Sequence, residues 1–183
     1  MPSRSRAVSH ARPYLDPLQL LDYTRAVAAE VAAGQYPFIR YDQAERWHQR
    51  LYRDRRVDVW LISWLPSQAT QLHDHGGSSG ALTVINGCLN ELCYRSGGQV
   101  ADRLSEVSRT AGDGVGFGPR YVHDVRNLSD ESAVSVHAYS PPLTRMSLYE
   151  LADAGLLRCL GSIDSDDPEP APDRLRPITG SAA

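Results

Sequence analysis

The sequence contains no lysine, so all 19 of its basic side chains are arginines. This absence excludes a lysine Schiff base, a pyridoxal-phosphate anchor and the lysine of a Walker-type phosphate loop. With 22 acidic residues, the formal net charge is -3. That charge is too balanced for the concentrated basic face of a nucleic-acid-binding protein, so we expect no nucleic-acid partner.

Cysteine is also scarce, with only Cys88, Cys93 and Cys159 in the chain. An odd number of cysteines without a Cys-x-x-Cys pair argues against both a disulfide framework and a thiolate zinc site. The sequence lacks an apolar run of about 18 residues, so no membrane span is expected. The N-terminal residues lack the apolar stretch of a signal peptide. Together these absences predict a protein of the reducing cytoplasm.

The length of 183 residues, of which 42% are hydrophobic, predicts one domain with a substantial core. We expect a mobile lead over 1–13, a single domain over 14–160 and a disordered tail over 161–183, where aspartate, proline and small residues prevail. A monomer is expected, because no large apolar stripe is left over beyond the predicted helix and strands.

The pattern of apolar residues and turn residues predicts mostly short strands behind one helix. Such a series, with a turn signal every 8 to 12 residues or so, is typical of an all-β sandwich or barrel. The predicted elements are a helix over 18–33 ending at Gly34, a strand over 57–65, a hairpin over 81–95 turning at Asn86-Gly87, a glycine-rich segment over 115–125, a strand over 133–140 and a short helix over 146–154.

Three histidines have the spacing of a metal site. His73 and His75 are two residues apart on extended backbone, so both imidazoles point to the same face. His123 follows a turn rich in glycine and proline and enters another β segment. A lone His-x-His is more often an ordinary polar pair, but the third histidine favours a metal. Three neutral imidazoles without a carboxylate would leave open positions on a divalent ion.

The motifs around these histidines resemble the two signature motifs of the cupin superfamily. The first is His73-Asp74-His75, and the second runs from Pro119 through His123 to Asn127. In the cupin pattern a glutamate ligand follows the first motif, at a place that here is Ser79 or Gly80. The resemblance therefore implies a three-histidine site.

Within the cupins, the sequence resembles the cysteine dioxygenase type I family over about residues 47–148. The resemblance is carried by WLPSQATQLHDHGGSSGALTVINGCL and YVHDVRNLSDESAVSVHAYSPPL. It implies a cupin-type jelly-roll β-barrel with an N-terminal helix and short flanking helices. It also implies ferrous iron held by His73, His75 and His123, with a small thiol and dioxygen as substrates. L-cysteine, oxidised to cysteine sulfinic acid, is the favoured thiol.

The second string contains the Ser-x-His-x-Tyr triad of that family, Ser135, His137 and Tyr139. These residues alternate along one strand and so share a face, where they can form a hydrogen-bond relay. Without the metal histidines, a buried polar ladder of purely structural value would be the better interpretation. In the animal enzymes a cysteine is cross-linked to the triad tyrosine. That position is Gly80 here, so no cross-link is expected, and Cys88 is expected to be a small buried hydrophobic residue.

The stretch from Trp47 to Leu51 decides the expected substrate. In the family an arginine in this stretch holds the substrate carboxylate, and the mercaptopropionate-type branch has a glutamine instead. Either Gln49 or Arg50 matches that place, and the two point to opposite faces of a strand. Arg50 is favoured, because a guanidinium binds a carboxylate with two parallel hydrogen bonds. The alternatives are a 3-mercaptopropionate dioxygenase using Gln49, an isomerase-type cupin on zinc or manganese, and a cupin that binds a metal or effector without catalysis.

Overall fold

The computed structural model describes residues 14–95, 104–152 and 155–165. The expected mobile lead over 1–13 lies outside the described residues, as do residues 166–183 of the expected tail. Within the described ranges, no helix has both the length and the apolar character that a membrane crossing requires.

The described residues contain one α-helix and eleven β-strands. The helix is α1 (Pro17–Ala32), and the strands are β1 (His48–Arg53), β2 (Asp58–Trp64), β3 (Leu72–His73), β4 (Ser79–Asn86), β5 (Cys88–Tyr94), β6 (Leu104–Thr110), β7 (Gly114–Phe117), β8 (Val122–Arg126), β9 (Ala133–Ser140), β10 (Arg145–Ala152) and β11 (Leu156–Asp164).

The strands form two sheets in which all described pairings are antiparallel. The spatial order is β1-β2-β9-β4-β7 in the first sheet and β11-β10-β3-β8-β5-β6 in the second. Neighbours in space are often distant in sequence, since β9 lies between β2 and β4. This arrangement confirms the mainly-β fold class with an N-terminal helix that the sequence predicted.

Helix α1 matches the predicted range to within one residue at each end. Its start is fixed by Asp16, whose carboxylate accepts hydrogen bonds from the backbone N–H groups of Leu18 and Gln19, both at 3.0 Å. The side chain of Gln19 accepts in return from the Asp16 N–H at 3.1 Å, which completes a capping box. Gly34 follows the helix with a φ of +80°, a conformation that favours glycine.

Strand β9 is buried along its whole length because α1 covers the outer face of the first sheet. Val134, Val136 and Ala138 pack in the core beneath the helix, together with Leu20 and Val31. The alternate residues of β9 point to the opposite side, into the space between the two sheets. The helix therefore leaves the inner face of β9 available for polar side chains that are shielded from solvent.

The predicted hairpin over 81–95 is wrong, although its two strands and its turn are present. β4 pairs with β7 and β9, whereas β5 pairs with β6 and β8, so the chain passes from one sheet to the other at Gly87. A Cβ at Gly87 would lie 2.6 Å from the carbonyl oxygen of Ser132 and 2.7 Å from Cβ of Ala133. The Asn-Gly pair thus marks a tight turn, but it does not determine which strands pair.

The predicted short helix over 146–154 is also wrong, because residues 146–152 belong to β10 and the last two positions lie outside the described residues. Leu148 is fully buried and pairs with His73 of β3, and β10 pairs along its length with β11. Pairing on both edges outweighs the helix propensity of the segment. No α-helix other than α1 flanks the barrel in the described ranges. β11 runs to Asp164, so ordered strand continues past the domain boundary expected at residue 160.

Candidate metal centre

His73, His75 and His123 converge between the two sheets. His73 ends β3 and pairs directly with His123 of β8, while His75 follows two residues later. One nitrogen of each ring lies within 4.8 Å of the others, and the Nε2 atoms of His75 and His123 are 3.3 Å apart. The side chains are almost completely buried. The structure thus brings together the three histidines that the spacing singled out.

Hydrogen bonds at the opposite ring nitrogens direct two of these histidines inward. Nδ1 of His73 donates to the carbonyl oxygen of Gln71 at 2.8 Å, and Nδ1 of His123 lies 2.7 Å from Oε1 of Glu91. With Nδ1 protonated, Nε2 keeps its lone pair for a metal. His75 is held by ring stacking instead, with ring centroids 4.8 Å from Phe117 and 5.1 Å from Tyr139.

Burial keeps His73 and His75 in the neutral form that binds a metal. Desolvation, followed by the charge of the neighbouring histidines, lowers the pKa of His73 and His75 well below the usual value for histidine. Neutral imidazoles at this spacing fit a divalent transition metal such as iron. In the described ranges, the only cluster with the spacing of a metal site is this one, and it contains no carboxylate.

A buried carboxylate lies directly behind the cluster. Glu91, on β5, is 1% exposed and also binds Arg109, whose Nε donates to Oε2 at 2.6 Å. The hydroxyl of Tyr121 donates to Oε1 at 3.0 Å. Burial alone would raise the pKa of Glu91, but the hydrogen bond and charge of His123, followed by Arg109, lower it to about 2. Glu91 is therefore an anion that fixes the orientation and tautomer of His123.

Gly80 is one of the two positions that match the cupin glutamate and is also the position of the cross-linked cysteine, and an aromatic ring fills the space beside it. A Cβ at Gly80 would lie 2.4 Å from Cε2 of Phe117 and 3.0 Å from Cδ1 of Tyr139. The ring of Phe117 stacks on His75 with an interplanar angle of 28°. No side chain of any size fits at Gly80 unless Phe117 moves, so the cluster stays one of three histidines.

Ser135, His137 and Tyr139 form a chain of hydrogen bonds on the inner face of β9. Oγ of Ser135 is 2.9 Å from Nε2 of His137, and Nδ1 of His137 is 3.4 Å from the hydroxyl of Tyr139. The chain has a fourth member, because Nε1 of Trp64 donates to Oγ of Ser135 at 2.9 Å. Burial lowers the pKa of His137 to about 3 and raises that of Tyr139, so both groups are neutral near pH 7.

A cavity of about 470 Å³ opens onto His73, His123, His137 and Tyr139. Its apolar wall includes Trp60, Ile62, Trp64, Val125, Leu143 and Met146. An arginine also reaches it. Arg46 lines the cavity with its guanidinium carbon 5.0 Å from the ring centre of Trp64.

The residues expected to hold a substrate carboxylate, Gln49 and Arg50, are not among those that line this cavity in the described structure. Arg50 lies over the ring of Trp60, with its guanidinium carbon 4.3 Å from the ring centre, and its Nε is 3.2 Å from Oδ1 of the buried Asp58. Gln49 is exposed and donates to the backbone carbonyl of Arg50 at 3.0 Å. The two side chains point to opposite faces of β1, and the bulge in this strand comes after both.

Sequence reasoning missed Glu91, Arg46 and Trp64. Glu91 carried a readable signal, because it occupies a buried position of an alternating strand, between the apolar Leu89 and Cys93. Arg46 and Trp64 carried no such signal, since their roles depend on distant strands. The expectation for Cys88 is wrong: it is only partly buried, with Sγ 3.1 Å from Oγ of Ser108.

Comparison with solved structures identifies the fold. The chain is similar to the protein TT1209 from Thermus thermophilus, with 20% identity and a TM-score of 0.51 over 59% of this chain and 94% of that one. An RmlC-like cupin protein from Desulfovibrio desulfuricans shows 14% identity and a TM-score of 0.49 over 59% and 93% of the two chains. A protein with a double-stranded β-helix domain from Klebsiella pneumoniae shows 18% identity and a TM-score of 0.48 over 72% and 93%. The first likeness shows the fold alone.

Comparison with protein families adds a match to the model for cysteine dioxygenase type I over residues 23–152. The match covers most of the described barrel, including the three histidines and the Ser-His-Tyr chain. It agrees with the resemblance seen in the sequence. The chain therefore belongs to the cysteine dioxygenase type I family, cupin enzymes that act on small thiols with dioxygen.

Proposed function

We propose that this protein is an iron-dependent thiol dioxygenase that converts L-cysteine to cysteine sulfinic acid. The observation that carries the proposal is the cluster of three buried histidines, two of which, His73 and His123, line one cavity together with the neutral phenol of Tyr139. Ferrous iron, when bound by His73, His75 and His123, would supply the redox chemistry that adds both atoms of dioxygen to the thiol sulfur.

The protein's own residues position the substrate and exclude water. Three histidine ligands would leave further positions of a bound ion available to a thiolate. The apolar wall formed by residues such as Leu143 and Met146 keeps bulk solvent from the sulfur. Tyr139, as a neutral phenol, offers a hydrogen bond to a group in the cavity. These are the positioning and electrostatic contributions expected of a protein whose metal does the electron chemistry.

Charged side chains of the cavity wall support an amino-acid substrate. The guanidinium of Arg46 can bind a carboxylate through two parallel hydrogen bonds. Glu45 also lines the cavity and offers a negative charge to an α-ammonium group. L-cysteine has both groups, whereas 3-mercaptopropionate lacks the ammonium. We therefore assign the carboxylate to Arg46 rather than to Arg50 or Gln49.

The experiment is anaerobic reconstitution with ferrous iron, followed by oxygen-electrode assays with three thiols. We expect fastest turnover with L-cysteine, slower turnover with 3-mercaptopropionate and the slowest with cysteamine, which lacks the carboxylate. Protein loaded with zinc, which has no redox activity, is the control and should consume no oxygen. Preference for 3-mercaptopropionate would favour the Gln49 alternative, and no consumption with any thiol would leave a metal-binding cupin without this activity.

A further inference from the structure

The hydrogen-bond chain on β9 has a direction, and Trp64 determines it. Trp64 ends β2, is fully buried and reaches across to Ser135 of the neighbouring strand. An indole N–H can only donate, so Oγ of Ser135 must accept from it. The sequence motif identifies Ser135, His137 and Tyr139 but not Trp64, and it does not show which way the protons of the chain point.

The direction follows from counting donors and acceptors along the chain. Ser135 has a single hydroxyl hydrogen, and in the described ranges the partners of its Oγ are Trp64 and His137. Because Trp64 occupies Oγ as a donor, the hydroxyl hydrogen is directed to Nε2 of His137. A neutral imidazole that accepts at Nε2 carries its hydrogen on Nδ1. That hydrogen then points to the phenolic oxygen of Tyr139, 3.4 Å away.

The opposite direction leaves a hydrogen without an acceptor. If Tyr139 donated to Nδ1 of His137, Nε2–H would point at Ser135, which would then receive two donors at Oγ. Its own hydroxyl hydrogen would have no acceptor among the described residues, in a site that is fully buried. A buried donor without a partner destabilises the arrangement that contains it. The first direction is therefore the stable one.

We propose that Trp64 is a positioning residue that fixes His137 as the Nδ1–H tautomer, so that Tyr139 accepts from His137 and directs its own hydroxyl hydrogen into the cavity. The group that Tyr139 contacts there must be an acceptor, such as a thiolate sulfur, an oxygen atom or a carboxylate. The functional consequence rests on the proposed thiol dioxygenase activity, but the tautomer does not. Burial that keeps His137 neutral agrees with a tautomeric rather than a charged state.

The test is ¹H–¹⁵N NMR of the histidine side chains in zinc-loaded protein, which is diamagnetic. The two neutral tautomers differ in their nitrogen shifts, and His137→Gln identifies the His137 signals by their loss. We expect wild-type His137 to be a single Nδ1–H tautomer. Trp64→Phe, which keeps an aromatic ring but loses the N–H, should convert it to a mixture of tautomers.

Trp60→Phe is the matched control, because Trp60 also lines the cavity but its Nε1 has no hydrogen-bond partner in the described structure. It should leave the tautomer of His137 unchanged. If Trp64→Phe does not fold, as judged by circular dichroism, Ser135→Ala breaks the same chain and should give the same mixture. A wild-type Nε2–H tautomer, or a single Nδ1–H tautomer that survives loss of the indole N–H in a folded variant, would overturn the proposal. Neither result depends on thiol turnover, so failure here is distinct from failure of the proposed function.

Discussion

Replacing Glu91 with glutamine tests how the three-histidine cluster is held. The amide keeps the size of the side chain and can still accept from Nδ1 of His123, which lies 2.7 Å from Oε1. It removes the negative charge that makes His123 a stronger ligand. Loss of such a partner typically lowers metal affinity by about 10–100-fold, which is about 1.4–2.8 kcal/mol at a tenfold change per 1.4 kcal/mol. We expect zinc and ferrous iron to bind Glu91→Gln more weakly by this factor.

The same substitution predicts a pH-dependent change in stability. The pKa of Glu91 is lowered from 4.5 to about 2 in the folded protein, which corresponds to at most about 3–4 kcal/mol. Because the folded-state pKa is the lower one, this stabilisation is present above pH 4.5 and is lost as the pH falls towards 2. The difference in free energy of unfolding between wild type and Glu91→Gln should therefore be largest near neutral pH and shrink in acid. Urea denaturation of the metal-free proteins measures it.

Metal affinity is measured by competition with a chromophoric chelator, at a pH where both proteins are folded. The matched control is Glu106→Gln on β6, because Glu106 is exposed and accepts only from Nδ2 of Asn90 at 3.2 Å in the described structure. The control should bind metal as the wild type does. A folded Glu91→Gln variant with wild-type affinity would refute the role assigned to the carboxylate.

Three further predictions test the cavity and its packing. Arg46→Ala should raise the KM for L-cysteine by about tenfold or more, because a charged hydrogen bond is lost. Arg50→Ala should raise this KM less. The reverse order in oxygen-uptake kinetics would place the substrate carboxylate at Arg50. Tyr139→Phe should lower kcat by about 100-fold or more at unchanged iron content, and an unchanged kcat would remove the phenol from the chemistry. Gly80→Ala pushes a methyl group into the neighbouring phenylalanine ring and should lower the free energy of unfolding by about 1–3 kcal/mol. Gly118→Ala is the control, because its Cβ would meet no heavy atom within 4 Å, and it should change the free energy of unfolding by less than about 0.5 kcal/mol. Equal effects of Gly80→Ala and Gly118→Ala in urea denaturation would contradict this packing.

Local patterns were sufficient for several elements. The helical spacing before Gly34 and the alternation along β9 each depend on residues close in the chain, and both elements were predicted with nearly correct bounds. The His-x-His pair is equally local, since two residues on extended backbone share a face. The fold class follows from these elements together with the motifs of the second half of the chain.

Pairing across the sheets was not accessible from local patterns. The Asn-Gly turn at Gly87 has the same sequence whether its strands pair with each other or separate, and the close approach of β9 decides between them. Residues 146–152 have good helix formers, but β3 and β11 pair with them as a strand. The choice between Gln49 and Arg50 depends on which face of β1 meets the cavity, and the arginine that lines the cavity, Arg46, precedes the strand. Long-range contacts of this kind override propensity.

The most direct test of the central claim follows the oxygen atoms. Iron-reconstituted protein is incubated with L-cysteine under ¹⁸O₂, and the sulfur-containing product is analysed by mass spectrometry. A thiol dioxygenase of the proposed kind predicts cysteine sulfinic acid that carries two labelled oxygen atoms, with one dioxygen consumed per cysteine. Recovery of unlabelled cysteine or cystine as the sole product would contradict it.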